Sequence, residues 1–324
     1  MQTRRLGATD LEVTRLGLGT MGWGLDTTVS EVMALWRRYR DAGGNLIDTA
    51  AAYGDGRVES LIGQLAGAAQ RRGEVVIATK SGYVLRQGQR VVETGRRTLL
   101  DDLAGSLRRL RIETVDLWQI HAWGDAPLEE TLAAADQAVT AGLARRVGVC
   151  NYIGWQLAQA ATWQKAVPGR SRIATAQIEY SLLARRAEIE ILPCCQALDI
   201  AFLPWSALGR GVLTGQYRGG ARPPGSRAAS DRLAWFVEPY LTPAADGVLE
   251  AVVRAGQGLG LSPVQVAWLW VRDAPGVSAA LVGPRTAAQL EPLLAVEDRV
   301  LPAPIAQALD DVSGGPNRLR TVQD

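Results

Sequence analysis

The feature that most constrains this fold is a periodic alternation: eight short, β-branched apolar runs, each followed by a longer amphipathic stretch. The runs at 15–19, 45–48, 75–80, 115–121, 146–150, 173–177, 200–205 and 277–282 read as strands, by their length and composition. Helical spacing occupies 30–42, 58–69, 99–110, 128–141, 154–166, 189–198, 246–259, 263–272 and 287–294. Gly43, Gly44 and Gly142 stand where helices end, as a left-handed C′ residue requires. Short strands joined by helical crossovers pair in parallel. Eight such units over about 250 residues make a closed (β/α)8 TIM barrel of the α/β class. A single domain over 1–324 is therefore expected, with an N-terminal β-hairpin in 1–14. Residues 207–243, after the seventh strand, are rich in Gly, Arg and Pro and lack sustained periodicity. A connection of that length suits a substrate or cofactor loop. Residues 295–324 read as a C-terminal extension.

Composition narrows the chemistry. Of 35 basic residues only Lys80 and Lys165 are lysine, and His121 is the single histidine. A mechanism that needs a deprotonable amine or an imidazole therefore has almost no candidates to choose from. Cys150, Cys194 and Cys195 form no C-x-x-C pair, so neither a multi-histidine zinc site nor a disulfide framework is expected, and no metal. The net charge is +2, and the Arg pairs are scattered among acids. A nucleic-acid partner would demand one basic face, so none is expected. No apolar run reaches membrane-spanning length and no signal-like segment precedes the first strand, so the cytoplasm is the expected compartment. Oligomeric state leaves no mark in the sequence.

Gly17, Gly19 and Gly22 match G-x-G-x-x-G. That fingerprint binds a dinucleotide only when its last glycine opens a helix, and here helical spacing resumes only near Ser30. More informative are the strand ends, because barrel sites form at the carboxyl ends of the strands. Strand two ends at Asp48, with Tyr53 just beyond. Strand three ends at Lys80, strand four at His121, strand five at Cys150 and Asn151, strand six at Gln177, and strand seven at Trp205 and Ser206. Asp, Tyr, Lys and His thus gather on one rim.

An ordered series of motifs now stands in view: N-L-I-D-T-A-A-A-Y-G at 45–54, Glu59, A-T-K at 78–80, D-L-W-Q-I-H at 116–121, G-V-C-N at 148–151, Q-I-E-Y at 177–180, P-W-S-A-L-G-R-G at 204–211 and G-P-R at 283–285. From the hairpin to about Leu294 the chain resembles an aldo-keto reductase. The resemblance implies carbonyl reduction with Tyr53 as general acid (base in the reverse direction), Lys80 as its activator, Asp48 as the partner of Lys80, and His121 orienting the substrate carbonyl. The chemistry is consistent. Oxygen gains charge as hydride reaches carbon, so it needs a proton donor. An unperturbed phenol near pKa 10 is a poor one until a cation stabilises the phenolate.

The resemblance also implies NADPH, in preference to NADH, with Arg285 meeting the 2′-phosphate. Cys150, Asn151 and Gln177 would hold the carboxamide, and Trp205 would stack on the nicotinamide. Thr20, Ser206, Leu208, Gly209 and Gly211 would lie along the cofactor, with Gly283 and Gln289 at its adenosine end. Cys150 departs from a common Ser, Trp205 from a common Tyr, and Leu293 from an Asn that reaches adenine. A small-molecule carbonyl compound is the expected partner, lined by Met21, Trp23 and Trp123. Phe236 is a further candidate, whereas Tyr83 and Trp235 read as loop-packing side chains. A cofactor-sensing subunit with little turnover is the alternative, disfavoured by four intact catalytic residues.

Overall fold

A computed structural model describes residues 1–69 and 72–314, and its element order follows the alternation closely. The N-terminal hairpin pairs β1 (Thr3–Arg5) with β2 (Glu12–Thr14). Then come β3 (Leu16–Gly19), α1 (Val29–Asp41), β4 (Leu46–Asp48), α2 (Arg57–Ala69) and β5 (Val76–Ser81). Next is a second hairpin, β6 (Tyr83–Arg86) and β7 (Gln89–Val92), followed by α3 (Arg96–Leu110), β8 (Val115–Ile120), α4 (Leu128–Thr140), β9 (Ala144–Cys150) and α5 (Gly154–Ala166). The chain continues with β10 (Ile173–Glu179), α6 (Ile191–Leu198), β11 (Ala201–Trp205), α7 (Ala234–Val237), α8 (Pro243–Leu259), α9 (Pro263–Arg272), β12 (Ala280–Val282), α10 (Ala287–Leu294) and α11 (Ala303–Ser313).

Eight strands pair in parallel in the order β11-β10-β9-β8-β5-β4-β3-β12. A Phe202–Val277 bridge and the Ser278 N–H donating to the Phe202 carbonyl at 3.0 Å bring the two edges together. This is the expected (β/α)8 barrel, and it corrects the expectation in three places. The eighth strand is short, with Val277 contributing only the bridge. The hairpin β6–β7 is additional. The loop at 207–243 contains α7 and several turns of 3₁₀ helix around its own small core of Val212, Tyr217, Ala228 and Val237.

Two layers of apolar side chains hold the barrel. Leu46, Val76, Ala78, Leu117, Ala201, Leu203 and Leu281 fill its interior, and Leu6, Leu11 and Val13 of the hairpin close the floor beneath them. The other layer lies between strands and helices, where Ile47, Ile77, Val147 and Phe202 meet Val32, Leu35, Leu103 and Leu157. Space inside is limited: a Cβ at Gly148 would stand 2.0 Å from Thr175 Oγ1. The G-x-G-x-x-G match proves to be strand and loop. Gly17 and Gly19 lie in β3, and α1 begins at Val29 behind the Thr28–Glu31 capping box.

Candidate active site

Side chains alternate across a strand with period two, and that rule carries polar groups to the barrel mouth. In β5, Val76 and Ala78 point inward among the interior core, so Lys80 points inward next; Ile77 and Thr79 face the helices. In β4, Leu46 is inward and Asp48 follows. The two meet: Lys80 Nζ donates to Asp48 Oδ2 at 2.7 Å and to the Thr49 carbonyl at 2.8 Å. Both are buried, Lys80 at 0% exposure. Gln177 Nε2 donates to the other carboxylate oxygen of Asp48 at 2.8 Å, and Thr20 Oγ1 donates to the Asp48 carbonyl. Burial alone would weaken the ammonium of Lys80, but Asp48, then Tyr53, outweigh it and hold the group protonated above its ordinary range.

Tyr53 begins a 3₁₀ turn, Tyr53–Gly56, directly after β4. Lys80 Nζ stands 5.2 Å from the centroid of its ring. Burial pushes the phenol up to about 12, and Lys80 pulls against that shift without cancelling it. The pull of Lys80 is in the direction expected of an activator, and with burial opposing it the proton stays on Tyr53 at neutral pH. His121 completes the group, its ring centroid 6.0 Å from that of Tyr53 and nearly perpendicular. Burial, then Lys80 and Arg90, hold its pKa well below the ordinary value, so the imidazole is neutral. Its Nδ1 is buried and has no hydrogen-bond partner among the described residues.

The remaining predicted residues surround these four. Cys150 Sγ lies 3.7 Å from Gln177 Oε1, and burial pushes its thiol up to about 12, which leaves it unreactive. Asn151 takes a left-handed backbone at φ 58°. Its side chain ties strand ends together: Nδ2 donates to the His121 carbonyl at 3.1 Å, and Oδ1 accepts from Trp205 Nε1 at 3.0 Å. Ser206 is left-handed too, at φ 63°, and its Oγ accepts from the Arg210 N–H. Non-glycine residues held this way concentrate at functional sites. Gly209 and Gly211, both with positive φ, continue the turn beyond Leu208. Phe236 of the loop lies parallel to Trp205 with centroids 6.4 Å apart.

At the far side, Gln289 Oε1 accepts from the Arg285 N–H at 2.8 Å, and Arg285 Nη1 donates to the Gly225 carbonyl at 2.6 Å. Arg227, not singled out by the sequence, lies here as well. It donates to the Arg210 carbonyl, and an added Cβ at Gly283 would stand 3.9 Å from its Nη2. Burial, and then the like charge of Arg285, depress its pKa. Neither guanidinium has an ion-pair partner among the described residues, so an anion between them would relieve the repulsion. That is the observation by which a phosphate-bearing cofactor fits this groove. Nothing local in the loop's sequence marked Arg227, because its neighbours arrive from β12 and the loop tip.

Of the expected substrate-pocket residues, Met21 is half-buried at the mouth-side loop after β3. Trp123 packs edge-on against Tyr152 and Trp155. Trp23, at 1% exposure, packs in the core cluster. Tyr83 moves the other way, its ring 4.8 Å from His121, and Leu293 is a core side chain. Lys165 is exposed on α5. Among the described residues no helix is long and apolar enough to cross a membrane.

Comparison with known proteins agrees with this geometry. A model of the Aldo/keto reductase family matches residues 15–313. The chain is 33% identical to the Bacillus subtilis protein "Uncharacterized oxidoreductase YrpG", over 98% of this chain and 97% of that protein. It is 30% identical to the "Aldo-keto reductase YhdN" of the same organism, over 90% and 88%. It is also 33% identical to a "Probable voltage-gated potassium channel subunit beta" of Oryza sativa subsp. japonica, over 87% of each chain. A match that spans all eight barrel strands, and a rim that sets tyrosine, lysine, aspartate and histidine side by side, lead to one assignment: the chain belongs to the aldo/keto reductase family.

Proposed function

We propose that the protein is an NADPH-dependent carbonyl reductase in which Tyr53 gives its proton to the carbonyl oxygen. The observation that carries this reading is the buried Lys80–Asp48 pair at 2.7 Å, with its ammonium beside the Tyr53 ring. Isolated, a buried ammonium would shed its proton; Asp48 prevents that. The retained charge then stabilises the phenolate left behind when Tyr53 donates. His121, neutral, orients the carbonyl by hydrogen bonding without competing for the proton. In oxidation Tyr53 takes the proton back. NADPH, when bound, would supply the hydride. Trp205 offers the flat face for its nicotinamide, Gln177 and Asn151 the polar edge, and Arg227 and Arg285 the charge that its phosphates need.

Tyr53→Phe removes the proton donor and little else. Carbonyl reduction should fall by about 10²-fold or more, while NADPH binding, followed by fluorescence titration, changes little. Wild-type turnover in that variant would sink the assignment. NADPH should bind more tightly than NADH, with the gap narrowing in Arg285→Ala; equal affinities in the wild type would refute the cofactor preference. The likeness to a potassium channel β subunit supports a second reading, a cofactor-sensing subunit. It would gain if NADPH bound tightly and a broad panel of aldehydes and ketones drew no turnover.

A further inference from the structure

The hairpin β6–β7 has no part in the chemistry above, yet it leans on the site. In its antiparallel register Tyr83 faces Val92 and Leu85 faces Arg90. Directly paired residues of such a ribbon project to the same side, as do alternate residues along each strand. Tyr83, Leu85, Arg90 and Val92 therefore share one face, and Val84, Arg86, Gln89 and Val91 the other. Tyr83 identifies the first face as the one toward the barrel mouth, since its ring lies edge-on to His121 at 4.8 Å. Val84 and Arg86, on the opposite face, border a cleft shared with Arg97 and Asp101 of α3.

Arg90 is thus turned to the rim, and its contact with Asp55 agrees. Nη2 donates to Asp55 Oδ1 at 3.0 Å, and Asp55 lies two residues beyond Tyr53 on the same turn. Both members of the pair are largely solvated, at 45% and 63% side-chain exposure, so the contact is weak and open to competition. Nε and Nη1 of Arg90 donate to nothing else among the described residues, leaving part of the guanidinium fork free.

We propose that Arg90 is a specificity-determining residue that receives a carboxylate carried by the carbonyl substrate, so that oxo acids are the preferred class. A guanidinium binds a carboxylate through paired N–H donors, and Asp55 already shows that a carboxylate fits against this one. Asp55 also disfavours a dianion at the same spot, which selects a carboxylate over a phosphate. The charge of Arg90 reaches the reaction centre, since it helps keep His121 neutral. This inference rests on the carbonyl-reductase reading.

The test compares acids with their methyl esters, which differ in charge while keeping the carbonyl. NADPH oxidation is followed with 3- and 4-carboxybenzaldehyde and 4-oxobutanoate, each beside its ester. In the wild type the acid-to-ester ratio of kcat/KM should be about tenfold or more for at least one pair. The ratio should collapse toward one in Arg90→Met and be partly restored in Arg90→Lys. Reduction of the esters with no preference for any acid, or a preference that survives in Arg90→Met, overturns the inference and leaves the carbonyl-reductase reading intact. If neither acids nor esters are reduced, that reading falls and takes the inference with it.

Discussion

A single lysine at a strand end proves informative because period two leaves it one direction to point. Val76 and Ala78 commit β5 to an inward series, so Lys80 enters the mouth, and Asp48 arrives by the same rule from β4. Those placements were legible from alternation alone. Asp102 was not, because its chemistry depends on what α3 packs against. Burial raises its carboxyl to about 6, against the pull of the Gly82 N–H and with Glu59 adding to the rise. That N–H follows Lys80 by two residues, so Asp102 braces the end of β5. The unfolded carboxyl titrates near 3.8, so the folded state binds this proton more tightly. Stability from Asp102 is therefore complete below the unfolded value and lost as pH rises through about 6. Asp102→Asn should remove that loss. Between pH 4.5 and 7.5 its stability relative to the wild type should improve by about 1–3 kcal/mol, read by urea unfolding at both pH values. A constant gap would show that Asp102 carries no such penalty.

Elements divide between those with periodic signals and those without. Helix α1 announces itself through Thr28 and Glu31, a capping box in sequence as in structure. Hairpin β6–β7 hides because its turn is Gln87-Gly88, both at positive φ, where Asn-Gly is the usual signal. Alternation across 83–92 with Gly88 at the centre was the cue available. The loop at 207–243 was recognisable by its missing period, but what fastens it was not. Arg210, at φ 56°, pairs through two nitrogens with Glu179 at 2.7 and 2.6 Å, donates to the Phe236 carbonyl and stacks 4.1 Å from the Phe236 ring. Its partners come from β10 and α7, far apart in sequence. Arg210→Ala leaves Glu179 half-buried without its counter-ion, and frees α7 from the barrel end. Limited proteolysis should then cut first within 207–243, and affinity for the proposed cofactor NADPH should drop about tenfold, because the loosened turn no longer fixes the residue-210 carbonyl that anchors Arg227. Cleavage elsewhere first, with affinity unchanged, would show that the loop is held by its own small core.

At the scale of the whole molecule, the preference for arginine over lysine finds a use beneath the barrel. Arg272, at the end of α9, is 0% exposed. It donates to both carboxylate oxygens of Asp273 and to the carbonyls of Val296, Glu297 and Arg299. Arg15, just before β3, reaches the Glu297 carbonyl and side chain, and Arg4 of the first hairpin reaches the carbonyls of Arg272 and Val277. Asp273 answers all three guanidiniums. The cluster joins the hairpin, the first strand, the approach to the last strand and the irregular segment at 296–299. It therefore seals the barrel at its seam, on the floor opposite the mouth that carries Tyr53 and Lys80. The carbonyls of Glu297 and Arg299 belong to no helix or strand ladder, and buried peptide groups without partners are costly. A planar fork of five donors satisfies several acceptors at once; an ammonium presents three donors from one point. Arg272→Lys keeps the charge and should still cost about 2–4 kcal/mol in chemical denaturation, close to the cost of Arg272→Leu. Turnover per folded molecule should be unchanged, since the seam lies away from Tyr53. A lysine variant as stable as the wild type would show that charge alone closes this barrel.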